Sequence, residues 1–285
     1  MKTMISLILA VLCLQLPAQE FQDKSLLKFS RENINHINLH NYRGKVSIMG
    51  SNTNEITLEV ERKMEAATTE RLEEGKRTIH YDSMLVDGAL YLFITDPERV
   101  FRIDENGEGY YETCNWNFSS NRERYRIKYD FNLKLTIPKD MDLGAFNHEE
   151  SLTVENVTGK LHLRNHHDGV TVTGAAGNAE VHSHHGDISI SFIQNPTEYL
   201  KASTHHGDIR VELQPSFSAD VGLKSRHGSF YTDFDWQPMP MQVNRIENGN
   251  KHQYKVGEYN RVRIGDGKVE AQFETYHGDV FIALK

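Results

Sequence analysis

SHHGDISI at residues 183–190 and THHGDIRV at 204–211 are one eight-residue phrase. It returns without gaps as NHHDGVTV at 165–172, SRHGSFYT at 225–232 and TYHGDVFI at 275–282. A degenerate earlier copy, NHEESLTV, occupies 147–154. The starts lie 18, 18, 21, 21 and then 50 residues apart. Self-similarity at so short a period marks a repeat architecture, and a unit of this size must stack on its neighbours to bury its apolar face. Each phrase opens a strand of period-2 alternation, such as Ile188 to Ser191, and is preceded by another, such as Ala179 to Ser183. Alternation bounded by Gly and Asn is a strand signature. The expected fold is therefore all-β, a β-solenoid or parallel β-helix with coils of 18–21 residues. The 50-residue interval fits two coils enlarged by an insertion around Trp236 to Tyr259.

Alternation assigns the side chains. Val170, Val172, Ile188, Ile190, Ile209, Val211, Val280 and Ile282 face inward, opposite Val181, Ala202, Leu223 and Phe273. Asn165, Ser183, Thr204, Ser225 and Thr275 share one recurring inward position before the corner, where small polar side chains bond the turning backbone. Gly186, Gly207, Gly228 and Gly278 free the bend from Cβ constraint. Open solenoid ends expose strand edges, which makes the strand ending at Lys285 a candidate docking edge.

Outward from the repeat, the first half (27–140) is less regular than 147–285. Alternating runs start at Val46 and Ile56. The polar stretch Glu65 to Glu74, ending at Gly75, reads as a short surface helix with a glycine stop. TIHYDSMLVDGALYLFIT (78–95) reads as a hairpin turning at Asp87-Gly88. Tyr125 to Ile137 is a long strand closed by Pro138, and the segment before it is an aromatic- and charge-rich insertion. Asp104 to Gly109 imitates the start of a calcium loop but has Asn115 at the twelfth place, so it reads as an acidic hairpin tip. With no sharp change of composition, 19–285 reads as one elongated domain.

Residues 1–18 have the form of a secretory signal peptide: Lys2, the apolar run Ile5 to Leu14, and a small residue at Ala18. Cys13 admits a lipoprotein reading, against which Leu12 stands where a lipid-attachment site wants Gly, Ala or Ser. The expected location is periplasmic, cell-surface or extracellular, with no transmembrane segment. The chain holds 40 acidic and 32 basic residues, a net charge of −8, which argues against nucleic acid as partner. Its 2 cysteines, one inside the signal, cannot staple a disulfide scaffold.

The order strand–Gly-Ser–strand, acidic helix, hairpin, LTIPKD (135–140), GKLHLRN (159–165) and repeated HGDI resembles a bacterial adhesin-like family of exported β-solenoid proteins, a domain of unknown function. The likeness covers Leu27 to Lys285 and is most specific at Lys134 to Pro138, Arg263 to Gly267 and the Gly-Asp-Ile/Val corners. It implies adhesion and carries no catalytic residues. The chain departs from the family pattern in placing His before the corner glycine, where Ser or Asn is usual.

Of the 15 histidines, His167, His185, His206, His227 and His277 fall in a corner column, and His166, His184 and His205 in the column before it, continued by Arg226 and Tyr276. Equivalent positions of successive coils lie about 4.8 Å apart. His182 shares the outward face of His184, and Asp168, Asp187, Asp208 and Asp279 add a carboxylate column. His166, His182, His184 and His205, with Asp187, are thus the candidate ligands of Zn²⁺ or Ni²⁺. Duplication of a structural corner explains the same columns without metal. No GxSxG, HExxH or phosphate-cradling loop is present, and no other cofactor is expected. The sequence points to a non-enzymatic exported interaction module that binds an envelope protein or glycan through its ladder surface. The alternative is a metal-binding or pH-responsive envelope protein. A polysaccharide-acting β-helix enzyme has least support.

Overall fold

The computed structural model describes residues 19–113, 127–241, 243–248, 251–256 and 258–285, with backbone alone for 113, 243–248 and 251–256. The expected signal peptide, Cys13, Cys114, Asn115 and the start of the 125–137 run lie outside the described residues. The fold is all-β and β-solenoid-like, as the repeat predicts. A 10-stranded and an 11-stranded sheet carry almost all of it. Seven coils each place one strand in either sheet. In spatial order the first is His36–His40 with Val46–Ser51, and the second Asp142–Asn147 with Leu152–Glu155. The third is Leu161–Asn165 with Val170–Ala175, the fourth Ala179–His185 with Ile188–Phe192, and the fifth Tyr199–His206 with Ile209–Leu213. All neighbouring coils pair in parallel.

The next two coils stack out of chain order. Val269–His277 and Val280–Leu284, the last repeat, form the sixth coil, and Ala219–Ser225 with Phe230–Thr232 form the seventh. Val269–His277 pairs on one side with Tyr199–His206 and on the other with Ala219–Ser225. Val280–Leu284 is likewise flanked by Ile209–Leu213 and Phe230–Thr232. Two expectations are corrected here. The 50-residue interval is not two enlarged coils but one excursion, with strand Trp236–Pro238, hairpin Val243–Asn248/Lys251–Val256 and the antiparallel strand Asn260–Ile264. The strand ending near Lys285 is no docking edge, because both its sides are hydrogen-bonded.

One cluster of buried side chains runs from Ile34 to Ile282. Each of the twelve residues expected inward is buried, from Val170 at 0% exposed to Leu223 at 8%. At the first end the coils are closed by antiparallel strands Glu55–Ala66 and Gln19–Ser30 on one sheet and by His80–Val86 on the other. The hairpin turn falls at Asp87 and Gly88, with φ of 50° and 81°, the paired left-handed geometry of a two-residue turn. The helix spans Thr69–Thr78, capped by Thr68, whose hydroxyl accepts from the Arg71 N–H. It therefore starts later than expected and runs through Gly75. This glycine is not a stop: a Cβ there would come within 3.0 Å of Ile127, so its bareness lets that side chain pack. The acidic tip is an Asx-stabilised turn, the Asp104 carboxylate accepting from the N–H groups of Asn106 and Glu108.

Candidate functional site

The corner between the two sheets is built from a hidden polar ladder and two outward-facing ring columns. Asn165, Ser183, Thr204 and Thr275 are buried, as alternation requires. Each reaches across to a carbonyl of the coil before it in space. Asn165 Nδ2 donates to Glu150 O at 2.8 Å, Ser183 Oγ to Asp168 O at 3.0 Å, Thr204 Oγ1 to Gly186 O at 3.0 Å and Thr275 Oγ1 to Gly207 O at 3.2 Å. Ser225, in the outermost coil, breaks the pattern, its hydroxyl having no partner. Asn147 extends the ladder, its amide donating to Gly44 O at 3.2 Å, and Asn41 sits at the same place in the first coil. Gly207 has φ of 143°, and a Cβ there would lie 2.4 Å from Gly186 O, so only glycine lets the coils close at the bend.

The next residue of each coil turns outward, and those side chains form one stack. Its rings are Tyr42, His148, His166, His184, His205 and Tyr276, with centroids 4.7, 4.7, 4.7, 5.1 and 4.8 Å apart in that order. Guanidinium groups close both ends: Arg99 Cζ lies 3.8 Å from the Tyr42 ring centre and Arg226 Cζ 5.4 Å from that of Tyr276. Such cation–π contacts each contribute on the order of 0.5–1 kcal/mol where exposed. The corner column is a second stack, His167, His185, His206, His277 and His227, at 5.7, 5.1, 5.0 and 4.8 Å. The stacks meet at right angles: His166 and His167 are inclined at 76°, His184 and His185 at 74°.

The five candidate ligands do not come together. His166, His184 and His205 are successive members of the first stack. Their planes lie within 5° of parallel, so their in-plane lone pairs run alongside one another instead of converging. His182 stands apart, with Nε2 2.9 Å from Glu180 and Nδ1 2.5 Å from Ser203. The Asp187 carboxylate accepts the backbone N–H of Asp208 at 2.8 Å, Asp208 that of Asp279 at 2.9 Å, and Asp279 that of Ser229 at 2.8 Å. The carboxylate column thus links coils, and it repeats the out-of-order stacking. The sequence reading missed His148 and Tyr42. Their signal was the spacing: Asn41 and Asn147 each precede an apolar strand residue, Val46 and Leu152, by five positions, as Asn165 precedes Val170.

Loss of hydration and then the charge of neighbouring imidazoles hold His166, His184 and His206 below the ordinary imidazole range. For His148, burial comes first, followed by the charge of His167, with Arg99 and Arg43 adding to it. At neutral pH these four are uncharged rings, which stack without mutual repulsion.

The model of the Toastrack DUF4097 family matches residues 144–282. The chain is similar to a crystal structure of a candidate cell adhesion protein from Clostridium sporogenes, at 13% identity over 93% of this chain and 100% of that one, with a TM-score of 0.43. It is also similar to candidate adhesins from Bacteroides fragilis (13% identity, 91% and 97% covered, TM-score 0.31) and Parabacteroides distasonis (11% identity, 92% and 97% covered, TM-score 0.27). No curated protein matches the sequence.

Proposed function

We propose that this protein is a non-enzymatic, exported interaction module of the cell envelope, binding a protein or glycan partner along its ring-lined corner. The observation that carries the reading is the array itself: six stacked rings closed by Arg99 and Arg226, beside a second stack of five. A fixed row of polar-edged rings at strand spacing presents flat contact surface with little conformational entropy left to lose on binding. The interior beneath it is filled by apolar side chains, so the surface and not a cleft offers the contact. The carboxylates that a sugar-cleaving solenoid would use are occupied, since Asp187, Asp208 and Asp279 each hold a backbone N–H of the next coil.

The test is co-sedimentation of the purified protein with insoluble bacterial envelope preparations, wild type against a His184→Ser/His205→Ser variant whose circular dichroism is unchanged. Saturable binding weakened at least ~10-fold in the variant, about 1.4 kcal/mol, supports the proposal. Undiminished binding by the variant, or sustained release of sugar from a polysaccharide, overturns it.

A further inference from the structure

We propose that His148, His166 and His167 form a binding site for one divalent transition ion of the Zn²⁺, Ni²⁺ or Cu²⁺ type, at the junction of the second and third coils. This differs from the set expected from sequence and stands independently of the partner-binding reading. Among the described residues, these three histidines form a group whose potential ligand atoms all lie within 4.8 Å of one another. The geometry differs from that of the stack alone. His148 and His166 are parallel at 4.7 Å, but His167 stands at 78° to one and 76° to the other, with centroids 5.0 and 4.3 Å away. A third ring steeply inclined to the stacked pair adds a ligand atom from a different plane, within 4.8 Å of those of the other two.

A second observation points to the same place. His148 Nδ1 and His166 Nδ1 are both shielded from solvent and have no hydrogen-bond partner. A buried nitrogen left unpaired costs about 1–3 kcal/mol, and in the tautomer with the proton on Nε2 each Nδ1 keeps a lone pair for an electron-pair acceptor to take. The donor set selects the ion class: three imidazoles suit Zn²⁺, Ni²⁺ and Cu²⁺, whereas Ca²⁺ and Mg²⁺ need oxygen ligands. The neighbouring Glu149 is engaged by Arg43 at 2.8 Å, which leaves the remaining coordination positions to water.

Zn–N bonds of about 2.0–2.1 Å place tetrahedral ligand nitrogens roughly 3.3 Å apart. The three rings must therefore pivot inward by about one ångström, and His148 unstacks from His166 as they do. Aromatic pair contacts of this kind contribute about 0.5–1.5 kcal/mol, a small loss beside three metal–nitrogen bonds. The exposed ring of His167 is the entry side.

Isothermal titration of the chelator-stripped protein with zinc sulfate and with nickel sulfate tests the site. One equivalent is expected, weakened at least about 100-fold by His148→Ala or His167→Ala and unchanged by His184→Ala or His205→Ala. No binding of either ion, several graded equivalents, or equal loss in the His184→Ala protein overturns the proposal. Should a site variant fail to fold, long-range ¹H–¹⁵N spectra of the wild type with zinc decide. Shifts confined to the ring nitrogens of His148, His166 and His167 support the site, and shifts spread along both columns contradict it. None of these measurements involves an envelope partner, so failure here leaves the interaction proposal standing, and the reverse.

Discussion

His40 sits beneath the hairpin 99–113, its ring stacked on Phe146 at 4.5 Å and edge-on to Phe101 at 4.9 Å. Burial alone lowers its pKa from 6.5 to about 3. The unfolded chain takes up this proton near pH 6.5 and the folded chain only near 3, so the stability it contributes is complete above 6.5 and is lost as pH falls toward 3. At about 1.4 kcal/mol per pH unit the full loss is on the order of 4–5 kcal/mol. The lowered rings of His184 and His206 act in the same direction. Thermal melts should therefore show the midpoint falling steadily from pH 7 to 4, with a shallower fall in His40→Leu. A slope identical in the two proteins contradicts this role for His40. Gly207→Ala should cost on the order of 2–4 kcal/mol in denaturant unfolding, since it combines a strained φ with a Cβ driven onto the Gly186 carbonyl. A loss below about 0.5 kcal/mol, the scale of an ordinary surface change, would mean the corner is looser than described. At this scale the sequence was informative wherever position recurs: the Asn/Ser/Thr ladder and the corner glycines follow from alternation. His148 and Tyr42 escaped because Glu149 and Arg43 follow them in place of a second histidine, which hid the column behind residue identity.

Between elements, the ladder hydroxyls make a sharper comparison. Thr275→Val removes the donor to Gly207 O while keeping the side-chain shape, and should cost about 1–2 kcal/mol. Ser225→Ala removes a hydroxyl that donates to nothing, and should stay within about 0.5 kcal/mol of wild type. Chemical denaturation of both variants checks the pair, and equal losses would remove the ladder's special role. The hairpin at Asp87-Gly88 was readable because two left-handed residues between alternating strands leave one turn geometry. The helix ends were not. Gly75 carries the same letter as a helix stop, but its function is to clear space for Ile127, a contact 52 residues away in sequence (127 − 75) that no local signal announces.

For the molecule as a whole, the repeat specified a solenoid and its inward residues, but not the order of its coils. Six of the seven coils carry the same phrase, so the phrase alone does not set which coil pairs with which. The choice is made by the excursion after Phe234. Its strand Asn260–Ile264 covers the outer edge of Ala219–Ser225 in antiparallel register and leaves the inner edge for Val269–His277. The continuous ring stack depends on this, because Tyr276 must follow His205 and precede Arg226. Disulfide trapping tests it most directly, in the chain lacking residues 1–18 and carrying Cys114→Ser. Arg210, Phe281 and Tyr231 are outward-facing register partners in that spatial order. Adjacent strands lie about 4.8 Å apart and next-nearest ones roughly 9.6 Å, beyond the ~7 Å limit of a disulfide. Arg210→Cys/Phe281→Cys should oxidise quantitatively in the folded protein, and Arg210→Cys/Tyr231→Cys should not. The opposite outcome, a bond between 210 and 231 and none between 210 and 281, would place the coils in chain order and break the ring stack.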